Sequence, residues 1–108
     1  MGEKLVVFVS CAGKDQAERI AGLVVEEHLA ACVSVLPGVR SCYVWEGKTT
    51  WAEEVLLVVK TTREAFGALE SRVAELHTYA VPEIVGVRIE VGSEKYLDWV
   101  SRAVVPSS

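Results

Sequence analysis

Residues 41–59, SCYVWEGKTTWAEEVLLVV, have the pattern of two β-strands joined by a tight turn. Glu46-Gly47-Lys48 supplies the turn, and the run Val55–Val59 is continuously apolar, as in a strand buried within a sheet. Upstream, residues 31–36 have the same strand character, and Pro37-Gly38 predicts a bend or bulge within one extended segment. Each arm of this hairpin therefore spans roughly a dozen residues or more, whereas a mean strand has about 5–6.

Outside this hairpin, apolar periodicity predicts two more strands and three helices. In chain order, the predictions are a strand at Leu5–Val9, helices from about Lys14 to Leu29 and from about Arg63 to Leu76, a strand at Ile84–Val91, and a helix after Ser93. Asp15 with Glu18, and Thr61 with Glu64, have the spacing of a capping box, and Ser93 is predicted to cap the last helix. The tail, residues 106–108, is expected to fray.

The order of these elements predicts the fold class. A β-α-β-β-α-β order is the ferredoxin-like split unit, in which two right-handed crossovers place both main helices on one face of a four-stranded antiparallel sheet. We therefore predict a single α+β domain over residues 1–108. It is a ferredoxin-like sandwich with a long hairpin between its second and third strands and an extra C-terminal helix. The composition, 51% hydrophobic and 24% charged, excludes a disordered chain.

Charge and apolar patterning exclude several kinds of partner. The chain has 11 Lys and Arg against 15 Asp and Glu, a net charge of −4, and its basic residues form no stripe for nucleic acid. No apolar run approaches the ~18–20 residues of a membrane span, and no signal peptide is visible. The cysteines at 11, 32 and 42 match neither a disulfide scaffold nor a zinc ribbon. We expect a cytoplasmic protein with reduced thiols, no nucleic-acid partner and no membrane span.

The length of the hairpin predicts self-association. Two helices of this size cannot cover both arms, so the overhang exposes unpaired strand edges and aromatic side chains, among them Tyr43, Trp45 and Trp51. Monomeric proteins avoid such patches and edges. We therefore expect a homo-oligomer in which the overhang meets another copy of the chain.

Few residues could bind a metal ion. Cys32 and His77 offer a thiolate and an imidazole, which suit copper or zinc, but two ligands bind weakly. A site would need carboxylates or a neighbouring chain. Glu83 either donates to a metal, pairs with Lys60 or is an ordinary solvated carboxylate, and His77 could equally cap its helix.

A polar cleft between subunits is the second candidate site. Lys60 ends the apolar strand, where it either extends to the sheet edge or enters a cleft as the partner of an anion. Tyr43, Trp45 and Tyr79 either belong to a core or interface, or line such a cleft with Lys60. The sequence has no Gly-rich phosphate loop, dinucleotide fingerprint or nucleophile elbow, so we expect no organic cofactor and no enzymatic activity.

Six short blocks of sequence carry a family resemblance. They are Leu29-Ala30-Ala31-Cys32-Val33, Leu36-Pro37-Gly38, Ser41-x-Tyr43-x-Trp45-Glu46-Gly47-Lys48, Glu54-Val55-x-Leu57-x-x-Lys60-Thr61, His77-x-Tyr79-x-Val81-Pro82-Glu83-Ile84 and Gly92-x-x-x-Tyr96-Leu97-x-Trp99. In this order they resemble the CutA divalent-cation-tolerance family, over about residues 5–103. Each block alone is weak, but six in sequence are specific.

This resemblance implies a ferredoxin-like homotrimer whose long hairpins pack the three subunits together. It also implies tolerance of copper and other divalent cations, with no enzymatic activity firmly attached to the family. By matching position it implies Cys32 as the first metal-ligand candidate and places His77 on the histidine of the family's pattern. Lys60, Tyr79 and Glu83 fall on the family's pattern around the intersubunit cleft. The family's trimer is similar to that of the P-II signalling proteins, which implies a signalling or scaffold role as an alternative.

The chain departs from the family pattern at three places. Thr78 replaces a proline and loosens its loop, and Ala80 replaces a glutamate, which removes one possible oxygen ligand. Cys11 stands in the first loop, where it either fills the space of an alanine or adds a thiol. If Cys11 approached Cys32, a sulfur-rich copper site would be favoured.

Three functions stay open at this point. The favoured one is a trimeric protein that binds or responds to copper and related divalent metals. The second is a trimeric signalling or scaffold module that binds a small anion in the cleft. The third, least favoured because no strong catalytic motif is present, is an enzyme with Lys60, His77 and Glu83 as acid–base groups.

Overall fold

The computed structural model describes residues 2–104, so the predicted fraying of residues 106–108 lies outside the described residues. Its elements are β1 (Lys4–Cys11), α1 (Lys14–Glu26), β2 (Cys32–Trp45), β3 (Lys48–Thr62), α2 (Phe66–Leu76), β4 (Ile84–Arg88) and α3 (Glu94–Ala103). The strands form one sheet in the order β2-β3-β1-β4, and each neighbouring pair is antiparallel. This order and topology confirm the predicted α+β, ferredoxin-like fold with an extra C-terminal helix.

The main core lies between one face of the sheet and helices α1 and α2. Alternate residues of the central strands point into it, and α1 and α2 contribute the apolar stripes that the periodicity predicts. The buried set is Leu5, Val7, Val9 and Cys11 from β1, Val55, Leu57 and Val59 from β3, Ala17, Ile20, Ala21 and Val24 from α1, Leu69 and Val73 from α2, and Ala30 from the segment before β2. The opposite face, which carries Val6, Phe8, Val58 and Lys60, is called the open face below.

Helix α3 packs outside this main core. Val100 and Val104 bury against Ala31 and Ala65 in a separate, smaller cluster. The predicted N-cap is confirmed, because the Ser93 hydroxyl accepts a hydrogen bond of 3.4 Å from the amide of Tyr96. None of the helices within residues 2–104 is long and apolar enough to cross a membrane.

Helix α1 ends earlier than the sequence predicts. It stops at Glu26 rather than Leu29, because His28 takes a left-handed conformation with φ of 61°. The His28 amide donates to the Val25 carbonyl at 3.0 Å and the Leu29 amide to the Val24 carbonyl at 2.9 Å, which is the Schellman pattern. His28 therefore ends the helix, whereas the predicted range to Leu29 includes it within the helix.

Two predicted caps are wrong. Helix α1 begins after Gly13 without any side-chain cap, so Asp15 does not form the expected capping box. Before α2, the hydroxyl of Thr62 accepts a hydrogen bond of 3.2 Å from the Ala65 amide, while Thr61 donates its hydroxyl to the Leu29 carbonyl at 2.7 Å. The chain thus makes one extra turn, and α2 begins at Phe66 rather than Arg63.

The hairpin of β2 and β3 is as long as the sequence predicts, with 14 and 15 residues in its two strands. Glu46 and Gly47 form the turn with φ of 51° and 80°, the pair of positive angles typical of a type I′ hairpin. Strand β4 is shorter than predicted and ends at Arg88 rather than Val91.

A β-bulge at Pro37-Gly38 changes which residues of β2 face the core. The register shifts between Leu36 and Val39, and Gly38 has a φ of 77°. Before the bulge, Val35 pairs with core residue Leu57. Beyond it, Tyr43 pairs with Thr50, an even-numbered residue of β3 on the open face. The extra residue of the bulge therefore turns Tyr43 onto the open face.

Candidate functional site

A cavity of about 650 Å³ lies on the open face where the hairpin leaves the sheet. Strands β1, β2 and β3 and the loop before β4 surround it. Its lining residues are Ser10, Ser41, Cys42, Tyr43, Trp45, Glu54, Tyr79, Ala80, Val81 and Glu83. We call it the acidic cavity, because Glu54 and Glu83 line it and no lysine or arginine does.

Glu54 is the buried carboxylate of this cavity. It is only 9% exposed, and its Oε2 accepts a hydrogen bond of 2.6 Å from the Tyr79 hydroxyl. A buried carboxylate is costly unless such donors compensate it. Burial and the bond to Glu54 raise the pKa of Tyr79 to about 12, so the phenol stays a hydrogen-bond donor across the neutral range.

Glu83 is held on the other side of the cavity by Ser10. The Ser10 hydroxyl donates to Glu83 Oε1 at 3.2 Å. Ser10 faces the open side of β1. Its neighbour Val9 pairs with Ile84, the first residue of β4, so the loop before β4 places Glu83 next to Ser10. Two carboxylates and two hydroxyl groups thus surround one space, and oxygen donors of this kind suit divalent cations.

His77 is engaged by backbone groups at both ring nitrogens. Its Nε2 donates to the carbonyl of Ser10 at 2.7 Å, and its Nδ1 accepts from the amide of Tyr79 at 3.1 Å. A carbonyl can only accept and an amide can only donate, so these partners fix the Nε2-protonated tautomer. His77 is also 9% exposed. In this arrangement neither nitrogen has a lone pair free for a metal ion, and His77 instead positions Ser10 and Tyr79.

Cys32 and Lys60 lie at the opposite end of the sheet. They face each other across β2 and β3, whereas Ser10, the partner of His77, pairs with Leu56 four residues away along β3. The Cys32 thiol lies 3.4 Å from the Tyr96 hydroxyl, and Lys60 Nζ lies 5.9 Å from the Tyr96 ring. Helix α3 therefore covers this end of the open face.

The predicted grouping of Cys32, His77 and Glu83 does not form within one protomer. Strand register separates Cys32 from the other two, and within residues 2–104 no group of three or more His, Cys, Asp or Glu residues is close enough to hold a metal. Of the predicted cleft residues, Tyr43, Trp45 and Tyr79 line the acidic cavity and Lys60 does not.

The three cysteines are free and lie far apart in the sheet. Cys11 is buried in the main core, and burial, with a smaller effect of nearby Glu54, raises its pKa to about 11. It pairs with Val55, five residues along β3 from the partner of Cys32, so the sulfur-rich pair does not form. Cys42 is exposed on the hairpin opposite Trp51.

Sequence reasoning missed Glu54 and Ser10 as members of the site. The signal for Glu54 was strand alternation. Val55 faces the core, so Glu54 must face the open side, beside the hairpin that carries the aromatic residues. Ser10 had no comparable signal, because its role depends on the loop that brings Glu83 to it.

Taken together, the β2-β3-β1-β4 sheet, the long bulged hairpin and the acidic cavity define a ferredoxin-like protein with an acidic pocket on the open face. The sequence profile described as CutA1 divalent ion tolerance protein matches residues 5–103. The chain belongs to this family.

Individual relatives agree with this assignment. A protein of Thermus thermophilus, named Divalent-cation tolerance protein CutA, is 47% identical over 88% of this chain and 92% of its own length. A rice protein (Oryza sativa subsp. japonica) named Protein CutA 1, chloroplastic, is 40% identical over 92% of this chain, which spans 56% of the rice protein. A crystal structure of CutA1 from Oryza sativa superposes with a TM-score of 0.95 at 39% identity, covering 98% of this chain and 97% of that one.

Proposed function

We propose that this protein is a homotrimer that binds copper or a related divalent cation at the acidic cavity, as part of divalent-cation tolerance. One observation carries the proposal. Glu54 and Glu83 line a single cavity that has no lysine or arginine in its lining to neutralise them. Two carboxylates in one partly buried space favour a bound cation, because each otherwise repels the other's charge.

The donor chemistry supports a divalent metal. Carboxylate and hydroxyl oxygens from Glu54, Glu83 and Ser10 are ligands that hard and borderline cations accept. Among first-row divalent ions, the Irving–Williams order makes copper(II) the tightest binder at such donors. Two carboxylates are an incomplete ligand set, so the proposed site gains further donors from a neighbouring subunit or from water.

The exposed hairpin supports assembly. Val44 and Trp45 near its tip are 70% and 63% exposed, and Trp51 is 57% exposed. A concentration of large apolar side chains on a projecting arm is typical of a protein–protein interface. The number of three subunits rests on the resemblance to the CutA family, and the hairpin at the edge of the acidic cavity would bring each site close to another chain.

The alternative ligand, a small anion in this cleft, has less support. The acidic cavity would repel an anion, and the cation expected to neutralise it, Lys60, lies beside Tyr96 at the other end of the sheet. The distance between Lys60 and the acidic cavity also supports a non-enzymatic role. His77 has both nitrogens engaged by backbone groups, and Lys60 is far from Glu83, so the expected acid–base set is not assembled.

We also propose a cytoplasmic location. Three free cysteines suit a reducing compartment. Because the name of the rice relative assigns it to the chloroplast, location differs within the family or follows from additional sequence. Fractionation of cells that express the natural gene, with immunodetection of the protein, tests this part of the proposal.

Equilibrium dialysis with copper(II) and zinc at neutral pH tests the metal site. We expect Glu54→Gln and Glu83→Gln each to weaken binding by about 10-fold or more, since a charged ligand contributes at least ~1.4 kcal/mol. Glu53→Gln is the matched control, because Glu53 is the exposed neighbour of Glu54 on the other face of β3. It should leave binding unchanged.

Cys32→Ser separates the two possible metal positions. The proposed site predicts that this substitution changes the dissociation constant little. Loss of copper binding in Cys32→Ser, with normal binding in Glu54→Gln and Glu83→Gln, would move the site to the thiol end of the open face and contradict the proposal.

A further inference from the structure

A second cavity, of about 380 Å³, lies on the helix-covered face of the sheet at its β4 edge. Its lining residues are Glu3, Leu5, Arg63, Phe66, Gly86 and Arg88. We call it the arginine cavity. Its position differs from that of the acidic cavity, which lies on the open face beside the hairpin.

Glu3 brings the two arginines of this cavity together. Its backbone carbonyl accepts a hydrogen bond of 2.9 Å from the Arg63 amide, and its carboxylate accepts one of 3.0 Å from Arg88 Nη1. Arg88 is therefore paired, whereas the guanidinium of Arg63 forms no ion pair or side-chain hydrogen bond with the residues from 2 to 104. With two guanidinium groups and one carboxylate, the rim carries a net charge of +1.

The start of helix α2 adds to this positive potential. The helix begins at Phe66, on the cavity wall, and its first turn contains no acidic residue. No side chain within the helix neutralises the positive end of its dipole, although the carboxylate of Glu64, two residues before the helix, lies nearby against Gly2. On a chain of net charge −4, this is a local site for a negative charge.

Leu5, Phe66 and Gly86 form the floor of the arginine cavity, whose exposed lining is otherwise mostly polar. A Cβ built at Gly86 would lie 3.5 Å from Leu5 Cδ1 and 3.5 Å from Phe66 Cε1, which is ordinary van der Waals contact. Glycine at this strand position leaves that space empty and exposes a flat stretch of backbone beside the Phe66 ring. The partly buried Phe66 ring beside this backbone is the main apolar contact that the cavity offers to a small ligand.

From these features we propose that the arginine cavity binds a small organic carboxylate. The carboxylate would lie between Arg63 and Arg88, as that of Glu3 already lies on Arg88, and the apolar body would rest on Gly86 and Phe66. A single negative charge matches the net charge of the rim. Arginine forms bidentate hydrogen bonds with carboxylates, which gives such a site its orientation.

Titration of the purified protein with benzoate, followed by ¹H–¹⁵N NMR, tests the proposal. We expect saturable shifts of the Gly86 amide, and Arg63→Ala should weaken binding by about 10-fold, as loss of a charged hydrogen bond does. Glu3→Gln should tighten binding several-fold, because it removes the internal carboxylate that occupies Arg88. Arg19→Ala, which removes an exposed arginine of α1 outside the cavity, is the charge-matched control and should leave binding unchanged.

Two further titrations define the class of ligand. Gly86→Ala, whose methyl group fits without a close contact, should weaken benzoate binding because it fills the floor. Inorganic phosphate should bind more weakly than benzoate. Binding of phosphate but not of benzoate would overturn the organic carboxylate as the ligand. Absence of saturable binding by either anion, or an equal loss in Arg19→Ala and Arg63→Ala, would overturn the site itself.

Discussion

At the scale of single residues, His77 shows how the partners of a side chain decide its chemistry. A histidine beside carboxylates suggests a metal ligand or a general base, yet backbone groups engage both of its nitrogens. His77 instead holds the carbonyl of Ser10 and the amide of Tyr79 at fixed positions. Tyr79 and Ser10 then each donate to one of the two carboxylates of the acidic cavity.

Tyr79→Phe tests this chain of hydrogen bonds. The substitution leaves Glu54 buried without its donor, so we expect a loss of about 1 kcal/mol of unfolding free energy at neutral pH. The pKa of Tyr79 is raised from 10 to about 12, so the stabilisation is present below pH 10 and is lost as the pH rises towards 12.

The measurement is the melting temperature of both proteins at several pH values from 7 to 12. The difference between wild type and Tyr79→Phe should be constant up to about pH 10 and shrink above it. In Tyr96→Phe the lost phenol bonds to a thiol, and its pKa is also raised to about 12, so the difference from wild type should show the same pH trend. A difference that grew with pH would contradict the assigned role of the Tyr79 hydroxyl.

At the scale of elements, the bulge of β2 connects the fold to the candidate site. Without the extra residue at Pro37-Gly38, strand alternation would keep the odd-numbered residues of β2 on the core side along the whole strand. With it, Tyr43 and Trp45 share the open face with Glu54 and line the acidic cavity. The bulge thus brings aromatic residues to a carboxylate that lies on the neighbouring strand.

Gly38→Ala tests the conformation of this bulge. Gly38 has a φ of 77°, in the left-handed region where a Cβ is unfavourable, so alanine should cost about 1–2 kcal/mol. Gly22→Ala is the matched control, since Gly22 is an exposed residue in the middle of α1 with open space around it. The control should stabilise the protein by about 0.5–1 kcal/mol, because alanine favours helices.

Urea denaturation of both variants measures this pair of opposite effects. The same chemical change at two positions should shift the denaturation midpoint in opposite directions. If Gly38→Ala raised the denaturation midpoint as Gly22→Ala does, the backbone at Gly38 would not require glycine.

The order of the elements could be predicted from the sequence, whereas their boundaries and the site could not. Element order follows from periodicity and turn residues, so the sheet topology and the hairpin could be predicted. The ends of elements depend on which of several neighbouring groups forms a given hydrogen bond. Either Thr61 or Thr62 could cap α2, but the Thr61 hydroxyl bonds to the Leu29 carbonyl, so Thr62 forms the cap. The site depends on register, which places Cys32 opposite Lys60 and away from His77, and no local pattern reveals that separation.

At the scale of the whole molecule, the projecting hairpin, the acidic cavity and the arginine cavity occupy different surfaces. The described residues span 45 × 27 × 21 Å, and the hairpin accounts for much of the long dimension, because its strands are two to three times longer than β4. The acidic cavity lies at the base of this arm, whereas the arginine cavity lies on the helix-covered face at the far edge of the sheet. The two cavities lie on opposite faces of the sheet and towards opposite ends of β1, since Ser10 lines the acidic cavity and Leu5 lines the arginine cavity.

Trp45→Ala tests whether the projecting arm holds the assembly together. The Trp45 side chain is 63% exposed in one protomer, so its loss should cost an isolated chain little. If the Trp45 side chain is buried between subunits, truncation costs about 3–5 kcal/mol. The melting temperature should then fall by several degrees, and the mass measured by analytical ultracentrifugation at micromolar concentration should shift from trimer towards monomer. Trp99→Ala is the matched control, since Trp99 is 42% exposed on α3, away from the arm, and should leave the mass unchanged. A trimeric mass in both variants, with no change in melting temperature for Trp45→Ala, would exclude the Trp45 side chain from the interface.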